Sequence, residues 1–138
     1  MILKTGFSLF LFLLASLITW LSYQKSRHQQ FYSDTFILIP LGVFVWGDGL
    51  ILGPFWLISS LLFYFFTKQQ IWHYWLLFWV IRSSYEVIYW LNHQAANKTY
   101  KPPLFRKIAW LDAGQSAILY QLLNMSVVIL GLVGLWWS

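Results

Sequence analysis

Cysteine is absent from this 138-residue chain, and only four acidic residues stand beside nine Lys and Arg. Without thiols there is no disulfide framework, thiolate metal site, covalent haem attachment or thiol-based redox catalysis, and quinone-linked disulfide chemistry goes with them. Charged residues make up 9% of the chain against 59% hydrophobic, far from the roughly one-quarter charged content of soluble domains. That balance places the chain among integral membrane proteins. Its apolar runs take up most of the length, so residues 1–138 are expected to form a single transmembrane domain without a separate soluble head. The net charge of +5 sits in short connectors beside apolar spans, where anionic lipid headgroups are the partner rather than nucleic acid.

The apolar runs predict an all-α fold, a four-transmembrane-helix bundle with spans at about residues 6–23, 36–66, 71–92 and 115–137. The first run ends in Ile18, Trp20 and Leu21, not in the small residues of a signal-peptidase site, so it should remain as a helix. Ser33 or Asp34 is placed to cap the second span. As one straight helix, residues 36–66 would reach about 46 Å, against a hydrocarbon core of about 30 Å. Pro54 removes the backbone bond to the Leu50 carbonyl, and Gly47 and Gly49 flank Asp48. A kink is therefore expected within residues 47–54, with the part before Trp46 tilted or near the interface.

Residues 94–114 form the longest connector. Pro103 is placed to start a short interfacial helix in which Leu104, Ile108 and Leu111 share a face while Arg106 and Lys107 point elsewhere. With Lys101, these two basic residues are expected to meet lipid headgroups. Asp112 and Gln115 stand at capping-box spacing for the last span. Lys25, Arg27, Lys98, Lys101, Arg106 and Lys107 fall on one side of the membrane and only Lys4 and Lys68 on the other, so both termini should face away from the cytoplasm of a multi-pass cell-membrane protein. The sequon Asn97-Lys98-Thr99 then lies on the cytoplasmic side and is an accident of composition.

Arg82 and Glu86 sit one turn apart inside the third span, where an ionisable residue needs protein, water or an opposite charge. Counting from the helix centres puts Arg82 at about the midplane and Glu86 roughly 6 Å toward the cytoplasm, with Asn124 and Gln121 roughly 3 and 7 Å to the same side. Asp48 joins this layer at roughly 5 Å if the second helix is long and kinked, and lies roughly 12 Å off if the span begins at Trp46. Trp75, Trp79, Arg82, Glu86, Tyr89 and His93 alternate spacings of three and four, which lines them along one face. Ala117, Gln121, Asn124, Val128 and Gly131 make a similar stripe on the fourth helix, with Ala117 and Gly131 small enough for close approach.

The candidate ligand or proton site is therefore Arg82, Glu86, Asp48, Asn124 and Gln121, with Trp75, Trp79, Tyr89, Trp46 and Trp56 as possible cavity lining. Trp20, Trp72, Trp110, Trp136 and Trp137 fall at interfaces as anchors. The three His are spread over helix ends and both sides of the membrane, so no metal site is expected. No Ser-His-Asp, Ser-Lys or cofactor motif accompanies Ser59, Ser60, Ser83 or Ser84, which should bond back to helix carbonyls. A small transporter or channel-like protein, dimerised to enclose a pathway, is the leading functional expectation. The second is a structural or accessory subunit whose charged pair pins helix register or docks on a larger membrane complex. A third is a membrane enzyme acting on a lipophilic substrate with Glu86 or Asp48 as general acid or base.

Overall fold

The computed structural model describes residues 2–96 and 100–138, so the sequon and Lys98 lie outside the described residues. Among the described residues the chain is all-helical, with α1 (Ile2–Arg27), α2 (Trp46–Phe63), α3 (Lys68–Ala96) and α4 (Ala113–Trp137). Three of these, α1, α2 and α4, are long and apolar enough to cross a membrane. α3 has the length, at 29 residues, but carries Arg82, Glu86 and two His along with many Trp and Tyr. The chain divides into two compact units, Met1–Lys68 and Gln69–Ser138.

In the first unit, α1 ends in a left-handed turn. Gln29 has φ 59°, and Gln30 N–H donates to the Lys25 carbonyl at 3.0 Å while Gln29 N–H donates to Ser26 at 3.3 Å. This Schellman pairing satisfies carbonyls that the helix end would leave open. α2 runs antiparallel to α1, and the contact is built on small residues. Leu11, Ala15, Ile18 and Ser22 are buried on α1, facing Gly49 and Gly53 on α2. A Cβ at Gly49 would collide with the Ser22 side chain and one at Gly53 with Thr19, whose own Cα would lie only 3.1 Å away. Close approach of this kind replaces the hydrophobic driving force that lipid removes.

The sequence placed a kink within residues 47–54 of a helix starting near residue 36. The structure instead starts the helix at Trp46, because residues 31–45 satisfy their backbone groups in another way. Thr35 N–H donates to the Phe44 carbonyl at 2.8 Å and Trp46 N–H to Ser33 at 3.2 Å, while Thr35 Oγ1 donates to Val43 at 2.6 Å. A short 3₁₀ turn, Ile39–Leu41, closes on Gly42 at φ 75°, a conformation that favours glycine. Trp56 Nε1 donates to the Leu41 carbonyl at 2.9 Å and ties this loop to α2. Neither Ser33 nor Asp34 caps the helix; Asp48 reaches back to its first turn instead. Gly47, Gly49 and Gly53 thus serve packing, Gly47 by making room for the Phe31 ring, and Pro54 lies within the continuous helix.

In the second unit, α4 begins as its spacing predicted. Asp112 Oδ1 accepts from Gln115 N–H at 2.7 Å, and Gln115 Oε1 accepts from Asp112 N–H at 3.2 Å. α4 returns antiparallel along α3, with Gly131 so close that a Cβ there would lie 2.6 Å from Val80. The expected basic interfacial helix is not formed. Residues 103–107 make turns, because Leu104 takes φ 72°, a left-handed value that no α-helix accommodates for a side-chain-bearing residue.

Candidate functional site

The periodicity of α3 brings Arg82, Glu86 and Trp90 onto successive turns of one face, and α4 supplies Tyr120 and Asn124 one turn apart. All of these are buried: Glu86 is 7% exposed, Arg82 9% and Tyr120 1%. Arg82 Nη1 pairs with Glu86 Oε1. The other carboxylate oxygen, Oε2, accepts from Tyr120 Oη at 3.0 Å and from Trp90 Nε1 at 3.2 Å. Both oxygens of Glu86 are therefore engaged, by one cation and two neutral donors drawn from two helices. Asn124 Nδ2 donates to the Tyr120 carbonyl at 2.9 Å, which helps seat that residue. A buried carboxylate is tolerated when its charge is balanced and its oxygens are hydrogen-bonded, and both conditions are met here.

An aromatic shell closes around this knot. Trp90 stacks on Tyr100 at 5.5 Å with an interplanar angle of 5° and meets Tyr120 edge-on at 5.9 Å. Phe105 also meets Tyr120 edge-on, at 6.1 Å. Arg106 donates from Nη2 to Tyr100 Oη at 2.6 Å and from Nε to the Lys101 carbonyl at 3.3 Å. Lys101 Nζ donates in turn to the Ile108 carbonyl at 3.2 Å. The basic connector is thereby bound to the same cluster: Arg106 holds Tyr100, Tyr100 covers Trp90, and Trp90 donates to Glu86. Lys107 is exposed.

The structure brings together Arg82, Glu86 and, through Tyr120, Asn124. Gln121 is half-buried beside Tyr120 on α4. Asp48 belongs to the other unit, where its Oδ2 accepts from Phe44 N–H at 3.0 Å and Val45 N–H at 3.2 Å and so stabilises the start of α2. Trp56 is fully buried against Phe63 and holds the loop, and Trp46 opens α2. On α3 the buried residues are Leu76, Phe78, Arg82, Ser83, Glu86 and Trp90, so of the expected stripe Arg82 and Glu86 are the buried members. Trp75, Trp79 and Tyr89 are half-buried, and Tyr89 stacks on His93 at 4.3 Å. Ser59 and Ser60 do bond back to the Phe55 and Leu57 carbonyls, whereas Ser83 Oγ is buried with no hydrogen-bond partner among the described residues.

Trp90 and Tyr120 are the residues that sequence reasoning missed. Each stands four residues from a polar residue already singled out, Glu86 and Asn124, and a tally of donors able to satisfy the Glu86 carboxylate would have pointed to both. Chemically the arrangement holds one compensated charge pair in place. Among the described residues there is no group of three or more His, Cys, Asp or Glu that could hold a metal ion. No protein-family model, curated protein or solved structure matches this chain.

Proposed function

We propose that this chain is a structural or accessory subunit of a membrane complex, in which the Arg82–Glu86–Trp90–Tyr120 knot clamps α3 to α4 and fixes their register. The observation that carries this reading is the engagement of both oxygens of the buried Glu86 carboxylate. A carboxylate that exchanges protons or ligands needs a path to water, whereas a buried one held by a guanidinium, an indole and a phenol is built to stay put. α3 acts as a fourth span: it is about 43 Å long at 1.5 Å per residue, and its charges neutralise each other. Both termini then face away from the cytoplasm, as the Lys and Arg distribution directs, and Lys101, Arg106 and Lys107 lie at the level of anionic headgroups. The large apolar residues exposed along α1 and α4, among them Leu13, Leu17, Leu122 and Ile129, are the surface such a subunit offers to lipid, to a second copy or to a partner helix.

The test is native electrophoresis of the tagged full chain, solubilised mildly from its own membrane. A subunit migrates with an assembly larger than itself, and the charge-free variant carrying Arg82→Leu and Glu86→Gln remains in that assembly and complements a deletion. If the wild-type chain migrates alone and the purified protein moves protons or ions across proteoliposomes, with that flux abolished in the charge-free variant, the transport reading replaces this one.

A further inference from the structure

The first unit carries an open groove of about 480 Å³ between the start of α1 and the end of α2. Its walls are Thr5, Leu9, Phe12, Leu61, Tyr64 and Phe65, with Ser8 and Ser60 at its floor. Neither floor hydroxyl is exposed in it. Ser60 Oγ donates to the Leu57 carbonyl at 2.6 Å, and Ser8 Oγ is buried with no hydrogen-bond partner among the described residues. The groove is thus an apolar surface on two helices that are each long and apolar enough to cross a bilayer, and it lies at the end of the pair where α1 begins and α2 finishes.

Charge decides what fills it. From Thr5 to Phe12 the groove follows α1 for about 10 Å, a length along which a single extended hydrocarbon chain can lie. At the mouth, Thr5 and Tyr64 supply hydroxyls. Lys4 lies on the same α1 face as Ser8, one turn nearer the helix end, and Lys68 follows Phe65 by three residues. An apolar slot leading to two hydroxyls and two ammonium groups has the chemistry of a lipid with an anionic headgroup. We infer that this groove binds one acyl chain of an anionic phospholipid, with its phosphate at Lys4 and Lys68.

The experiment is native mass spectrometry of the full chain, delipidated in detergent and titrated with phosphatidylglycerol or with phosphatidylcholine of the same acyl chains. One phosphatidylglycerol per chain is expected, in preference to phosphatidylcholine. Leu9→Trp and Leu61→Trp, which fill the groove from exposed wall positions, should weaken its binding at least tenfold, and Ile51→Trp, elsewhere on the exposed surface of α2, should leave it unchanged. Lys4→Glu should weaken phosphatidylglycerol roughly fivefold or more, from the loss of about one headgroup attraction, and leave phosphatidylcholine alone. Because Lys4→Glu lies at a helix end, it keeps the test decisive if a Trp variant lowers helix content by circular dichroism. Equal binding to filled and unfilled grooves, or indifference to headgroup charge, overturns the site. So does a dimer that dissociates on groove filling without any bound lipid, since the occupant would then be a second copy.

Discussion

Glu86→Gln keeps the size of the side chain and an oxygen able to accept from Tyr120 Oη and Trp90 Nε1, but it removes the negative charge. Arg82, 9% exposed, is then left as a buried guanidinium that cannot lose its proton, at a cost of about 3–5 kcal/mol. Arg82→Leu leaves the Glu86 carboxylate with its two neutral donors, so its cost falls near the low end, about 3 kcal/mol. With both changes together no charge remains, and the amide oxygen still serves Tyr120 and Trp90. What is lost is the charge assistance of those bonds, about 1–2 kcal/mol. The double variant should therefore be more stable than either single one, with a coupling of at least about 2 kcal/mol. Thermal unfolding in detergent resolves this, since 1 kcal/mol shifts the midpoint of a chain this size by about 3–4 °C. The singles should fall by about 9 °C or more and the double by about half of that. Additive losses would refute the reasoning, because they would mean that the two charges do not compensate each other.

Gly53→Val places a side chain against Thr19, including its backbone, and should destabilise the first unit by about 1–3 kcal/mol, visible as faster proteolysis within residues 28–45. Asp48→Ala removes the acceptor for Phe44 and Val45 N–H and should cost about 1 kcal/mol; hydrogen exchange should rise at those two amides, just before α2, earlier than within α2 itself. Ala109→Cys, at an exposed position of the basic connector in a chain free of other thiols, should resist a membrane-impermeant maleimide in intact cells and react in inverted vesicles. Labelling from outside would reverse the proposed orientation.

Elements governed by local chemistry could be read in the sequence. The start of α4 was legible because Asp112 and Gln115 satisfy each other's backbone within one turn. The pairing of Arg82 with Glu86 was legible because a spacing of four on a helix leaves them no nearer opposite charge. What escaped was decided by contacts distant in sequence. Gly47 and Gly49 read as a weak point, yet their missing side chains, together with that of Gly53, are what admit Phe31, Ser22 and Thr19. The Arg106 segment read as a helix from its apolar spacing, but Arg106 and Lys101 instead bond to the carbonyls and the ring of their own connector. Trp90 was indistinguishable from the interfacial Trp residues until Tyr100 and Tyr120 were seen to enclose it. Asp48 read as a member of the membrane-centre layer only while α2 was taken to begin near residue 36.

The state of the Glu86 carboxyl in the intact protein is the most direct test of the clamp. A lipid-soluble carbodiimide reacts with protonated carboxyls that it can reach inside a membrane, and mass spectrometry of the labelled chain locates the adduct. Paired with Arg82 and bonded to Trp90 and Tyr120, Glu86 should remain unmodified in the wild-type chain and become reactive in Arg82→Leu, where the pair is broken. Ready modification of Glu86 in the wild type, equal to that in Arg82→Leu, would contradict the clamp.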